Sequence, residues 1–204
     1  MPDVLVPAAR VKRWITNFET RHGDTVLSVV EGALGGVAAD GSRFTARLPL
    51  AAAYDGPADA AGLAGAAAGA APDDWGVLLV RKGGFAVARM SGDAMGESKT
   101  GQRHVQGRTK AGGQSQQRFA RRRDNQARQA YEAAADHAAR ILDGLAGPVV
   151  VGGDRTAVDE VLADRRLAGL STVEPGLALP DPRRGVLEQG VADALSLRVE
   201  VHNA

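Results

Sequence analysis

Cysteine is absent from the 204 residues, which excludes a disulfide framework and any thiolate-ligated metal site. Aromatics are scarce, at 4% of the chain, so a core has to be built mainly from Ala, Val and Leu. No apolar run is long enough to cross a bilayer. The first residues, MPDVLVPAARVKRW, carry Asp3 where a signal peptide needs a basic residue, and their apolar stretch is short. This predicts a chain without a signal peptide, soluble and cytoplasmic. Net charge is nearly missing too, at +1, and by itself points to no partner.

Charge is present but segregated. Arg103, Arg108, Lys110, Arg118, Arg121, Arg122, Arg123 and Arg128 fall in one stretch, where Asp124 alone opposes them. The remainder is therefore net acidic, and the asymmetry points to an anionic partner at one place. Hydrophobic residues make up 44%, an ordinary share for a globular chain.

Pro7 to His22 reads as a helix, with Pro7 in the first turn, an apolar stripe of Val11, Trp14, Ile15 and Phe18, and Gly23 as its stop. Strand-like runs follow at 25–30, 34–38 and 43–48, the last two joined by an Asp40-Gly41 turn. Residues 51–72 are rich in Ala and Gly and read as a connector, with a weak helix near 58–70. Residues 1–72 thus form an N-terminal part, and 73–204 a second domain. In the latter, 76–80 and 85–90 make a hairpin around Lys82-Gly83-Gly84. Further strands are expected at 94–100 and 103–106, then a long helix, a buried-type strand at 148–151, a helix at 155–163 capped by Asp154, a helix at 186–195 and a last strand at 197–201. The predicted class is α+β: a mixed sheet with packed helices.

On a wheel of about 100° per residue, Ala120, Ala127, Tyr131, Ala134, Ala138, Ile141 and Leu145 share one face of the long helix. Arg118, Arg121, Arg122, Asn125 and Arg128 gather on the other side. A run of charge is often only a solvated surface. These arginines, however, occupy the first turns, where the helix macrodipole disfavours cations, and guanidinium forks match phosphate oxygens. Repeated phosphates mean RNA or DNA.

No other constellation competes. His22, His104, His137 and His202 are scattered and read as surface or satisfied histidines. Ser28, Ser42 and Ser91 lack a nucleophile-elbow context. Asp73 and Asp74 read as a turn or cap, and VGGDR at 151–155 as a strand-to-helix turn. No metal or cofactor is expected.

Immediately before the basic helix stands Gly112-Gly113-Gln114, within GGQSQQRFARRR. This segment resembles the catalytic segment of eukaryotic and archaeal class I peptide-chain release factors. The surroundings, from Trp75 to Asp164, resemble the central domain that carries it: a hairpin before, a long helix after, then an apolar strand ending in Gly. The chain is similar more closely still to the Vms-like ribosome quality-control peptidyl-tRNA hydrolases, in an actinobacterial branch. In yeast and human members the glutamine is displaced by one position; here Gln114 holds the release-factor position, and Gln116 is the alternative.

The resemblance implies an RNase H-like fold and an enzyme that hydrolyses the ester between nascent peptide and tRNA. Gly112, Gly113 and Gln114 would be catalytic. Arg108, Lys110, Arg118, Arg121, Arg122, Arg123 and Arg128 would bind ribosomal RNA. The implied partners are the large ribosomal subunit at its peptidyl-transferase centre and peptidyl-tRNA, with the protein acting as a monomer away from membranes. Class I factors add a stop-codon-reading domain and a GTPase-partner domain, for which 204 residues leave no room, so release is expected to be codon-independent. Two alternatives remain: a nuclease trimming the tRNA 3′ end, and a ribosome- or RNA-binding factor without catalysis.

Overall fold

The computed structural model describes residues 4–102 and 114–204, which form ten strands and five α-helices. In chain order these are β1 (Val4–Pro7), α1 (Val11–His22), β2 (Thr25–Val30), β3 (Ala33–Ala38), β4 (Arg43–Arg47), α2 (Ala60–Ala68), β5 (Trp75–Arg81), β6 (Gly84–Ser91), β7 (Ala94–Gln102), α3 (Gln114–Ile141), β8 (Val149–Gly153), α4 (Arg155–Leu162), β9 (Thr172–Leu177), α5 (Arg184–Ala194) and β10 (Ser196–His202). The α+β class holds. The strands form two sheets rather than one, and contacts group residues 1–71 with 192–204 in one unit and 72–191 in another.

The first unit has an antiparallel sheet in the order β1-β10-β4-β3-β2. Alternation along β4 buries Phe44 and Ala46 while Arg43 and Arg47 face out. Val11, Ile15 and Phe18 of α1 are buried, and the few aromatics are concentrated here: Phe44 packs edge-on to Trp14 and Phe18, with ring centroids 5.1 and 5.0 Å away. A Cβ on Gly36 would collide with that ring, so this position has to be glycine if Phe44 keeps its place. At the β3–β4 turn, Gly41 takes φ +89 and donates to the Ala38 carbonyl at 3.0 Å, as the Asp-Gly signal predicts.

Three readings change in this unit. Residues 4–7 are a strand, and Pro7, with ψ 143, ends it before a 3-10 turn at 8–10; the four-residue strand is too short for alternation to reveal. The Ala-rich segment holds the expected helix, as α2, but it is more than a connector. Asp59 caps α2 by accepting from the Gly62 N–H at 2.7 Å, and Leu63 and Ala67 of α2 are buried in the core. Finally β10, expected to close the second domain, pairs with β1 and β4. Its alternating pattern suits either sheet, and nothing local specifies the partner.

The second unit is a mixed sheet, β7-β6-β5-β8-β9. Only β6 runs against its neighbours, since β5, β8 and β9 pair in parallel and β7 is antiparallel to β6. This arrangement agrees with the RNase H-like expectation. Strand β5 lies at the centre and is buried from Trp75 to Val80, as a strand covered on both faces must be. Leu78, Val80, Val87 and Val151 form one core with α3 and α4. Toward α5, a Cβ on Gly190 would lie 3.1 Å from Leu179 and 3.3 Å from Leu79. Strand β9 goes against its own sequence: TVEPGL carries Pro and Gly, which sheets tolerate at an edge, and an edge is where it lies.

Candidate catalytic tip and RNA interface

Helix α3 is 28 residues long, about 42 Å at 1.5 Å per residue. Its anchored end is made of small residues. Ala130, Ala134, Ala135 and Ala138 are buried beside Tyr131, Ile141 and Leu142, so the helix axis lies close to the sheet. Ala127 and Leu145 are partly buried against the same core. The predicted dry face is thus observed at Tyr131, Ala134, Ala138 and Ile141, and it is broader than expected, taking in Ala130 and Ala135.

Beyond the helix, the chain is tied down by charge. Arg89 of β6 donates from Nε and Nη2 to both carboxylate oxygens of Asp74, at 2.7 and 2.9 Å. Its Nη1 reaches the Asp143 carbonyl at 2.8 Å. Asp74 in turn accepts from the Ala146 N–H at 2.9 Å. The hydrogen bonds from Arg89 and from the Ala146 amide hold the Asp74 carboxyl below its ordinary range. The expected turn or cap at Asp74 is therefore a clamp on the C-terminal end of α3. Along the helix, Asp136 pairs with Arg166 at 2.7 Å and Arg140 with Glu97 at 2.5 Å.

The other end of α3 is where the motif falls. Gln114 is the first residue of the helix, so by helix geometry its N–H and those of Ser115, Gln116 and Gln117 have no intrahelical acceptor. Ser115 is inside the helix. Gly112, Gly113, Arg108 and Lys110 lie outside the described residues, as do Arg103, His104 and the 103–106 strand. The backbone of 118–123 is helical, but the side chains of Gln114, Arg118, Arg121, Arg122 and Arg123 are also outside the described set. Arg128 is exposed.

A cleft of about 340 Å³ between α3 and α4 was not legible in the sequence. Lys82, Arg128, Tyr131, Asp154, Thr156 and Glu160 line it, past the carboxyl ends of the parallel pair β5 and β8. Burial, aided by Asp154 and Glu160, raises the Tyr131 phenol above its usual value, so it stays a neutral hydrogen-bonding group. Two cations and two carboxylates balance there, unlike the one-sided charge at the head of α3.

The remaining expectations resolve simply. In VGGDR, Gly153 takes φ +103 and a Cβ there would run into the Val80 carbonyl. Asp154 caps α4 through the Ala157 N–H at 3.4 Å, so the segment is a strand-to-helix turn. His137 stacks on Phe85. His22 does have a carboxylate neighbour, Asp40 at 2.9 Å. That contact, with a stronger backbone hydrogen bond from Ser42, depresses the Asp40 carboxyl. Among the described residues no helix is long and apolar enough to cross a membrane.

The model of one protein family, the Actinobacteria/chloroflexi VLRF1 release factors, matches residues 73–200. No curated protein matches the chain.

Proposed function

The chain belongs to the Actinobacteria/chloroflexi VLRF1 release factor family, and from that premise we propose that it is a codon-independent peptidyl-tRNA hydrolase. It frees nascent chains from stalled ribosomal complexes in the cytoplasm, as a monomer acting at the peptidyl-transferase centre of the large subunit. The observation that carries this reading is the position of Gln114: it heads a 28-residue helix whose far end is built into the core of its unit.

The reaction is attack of water on the ester carbonyl carbon. A tetrahedral intermediate forms, the bond to the tRNA ribose oxygen breaks, that oxygen takes one proton of the water, the other is released to solvent, and the peptide leaves as a carboxylate. The ester is already activated, so no strong base is required. The Gln114 amide carbonyl accepts a hydrogen bond from the attacking water, and the amide has no titrating proton in the physiological range. Holding water in line contributes several kcal/mol through orientation. A helix-terminal N–H such as that of Gln114 donates to the developing oxyanion, an interaction worth about 2.7–4 kcal/mol per donor elsewhere. Gly112 and Gly113 permit backbone conformations closed to other residues and close approach to the tRNA end.

Arg118, Arg121, Arg122 and Arg128 grip ribosomal RNA through its phosphates, with Arg108, Lys110 and Arg123 adding charge near the tip. The grip compensates for cations at a helix N-terminus, which the macrodipole disfavours. A stiff rod fixed at one end by Asp74 and Arg89 is suited to presenting its other end to a distant site.

Product analysis tests this reading. Stalled ribosomal complexes carrying labelled peptidyl-tRNA, with no stop codon in the decoding site, are to be incubated with the protein and the tRNA end mapped. Free peptide with intact tRNA is expected. A tRNA shortened at its 3′ end makes the protein a nuclease instead, and binding without any product makes it a non-catalytic ribosome factor.

A further inference from the structure

Helix α1, in the first unit, repeats the electrostatic peculiarity of α3 and is unaccounted for by release chemistry. Its buried stripe is Val11, Ile15 and Phe18. Around the opposite arc, on the same 100° wheel, come Lys12, Thr16, Thr20, Arg13, Asn17 and Arg21, with Arg10 of the preceding turn in line with Arg21. All are exposed. The face therefore presents four cations and three neutral hydrogen-bonding side chains, with no carboxylate among them; Glu19 lies at its flank.

Three of these cations sit where the helix disfavours them. Arg10, Lys12 and Arg13 flank the N-terminus, whose first turn has no acidic residue and no side-chain cap, so nothing local offsets the positive end of the dipole. Among the described residues none of the four makes an ion pair. Some arginines elsewhere are paired: Arg89, Arg140, Arg166 and Arg184 are each within 2.7 Å of a carboxylate.

We propose that the solvent face of α1 is a second RNA-backbone-binding surface, independent of the catalytic tip. Phosphate is contacted by just this mixture of Arg, Lys, Thr and Asn side chains. A membrane-surface helix needs large apolar residues at its contact face, and a protein interface needs aromatic or apolar anchors; this face has neither. It gives the first unit the task of holding RNA, whether or not α3 hydrolyses an ester.

The test uses the full chain and a fluorescent single-stranded RNA oligonucleotide titrated at several salt concentrations. In a background with Arg108, Lys110, Arg118, Arg121, Arg122, Arg123 and Arg128 changed to Gln, salt-dependent RNA binding is expected to persist. Adding Arg10→Gln, Lys12→Gln, Arg13→Gln and Arg21→Gln should abolish it; placed in the wild-type chain, these four changes should flatten the log K against log salt slope by about 3, at about 0.7 per phosphate. The same four changes should leave Tm equal or higher, because they remove cations from a helix N-terminus. Arg13→Gln alone, a milder change, should flatten the wild-type slope by about 0.7. Loss of all RNA binding in the α3 background, or an unchanged slope after the α1 changes, overturns the proposal. So does displacement of the RNA by phosphatidylserine vesicles, which would assign the face to a membrane.

Discussion

Asp74 and Arg89 meet in a two-pronged contact, 2.7 and 2.9 Å, that reaches on to Asp143 and Ala146. Residues at the start of β5 and in β6 thereby fix the chain just beyond α3. Asp74→Ala should lower Tm by a few degrees and leave the rate per folded, ribosome-bound molecule nearly unchanged, since the buried apolar face of α3 still anchors the rod and the clamp lies at the end away from Gln114. Scanning calorimetry checks the first, and single-turnover release at saturating enzyme checks the second.

Acid should unpick the contact between Asp164 and Arg166. Asp164 accepts from the Arg166 side chain and backbone N–H, and these bonds lower its carboxyl to about 2. A depressed carboxylate contributes stability that is present above the unfolded value of about 3.9 and lost as pH falls through the folded value. Asp164→Asn should therefore be less stable than wild type at pH 6, with the difference closing between about pH 4 and pH 2. Urea midpoints across that range measure it, and a gap that stays constant argues against the assignment.

Leu63 is wholly buried in the first unit. Leu63→Ala should cost about 2–5 kcal/mol, measured by denaturant unfolding. A surface connector would give a change near zero.

Ribosome affinity should follow charge on α3. Reversal at Arg121 and Arg122 is expected to weaken binding of large subunits and to flatten its salt dependence by about 0.9 for each duplex phosphate no longer neutralised. Sedimentation binding at several salt concentrations reads both. Unaltered affinity would remove the grip from the account.

Much of this organisation can be read from local chemistry, and the failures have physical reasons. The Asp40-Gly41 turn, the Asp154 cap and the anchored face of α3 follow from turn residues, capping and helical period, all encoded within a few positions. Strand β1 and the sheet membership of β10 depend on pairing between residues nearly two hundred positions apart, such as Val6 with Leu197, which no local pattern specifies. Strand β9 contains Pro175, so its sequence argues against a strand until its edge position is known. The site was legible only as a motif: GGQSQQRFARRR stands out by its residues, whereas the Asp74–Arg89 clamp and the cleft beside Tyr131 come from three separate elements each. The cationic face of α1 could have been drawn on a wheel; what the structure adds is the absence of ion pairs among its described neighbours.

The central claim is that an uncharged amide at the head of α3 delivers water to an ester. Gln114→Ala is the sharpest probe of it, measured as single-turnover release of labelled peptide from stalled complexes at saturating protein. The account predicts a loss of about 10²-fold or more in rate, the scale of one well-placed polar contact in a transition state, with ribosome binding and Tm unchanged. Release at the wild-type rate in that variant would contradict it.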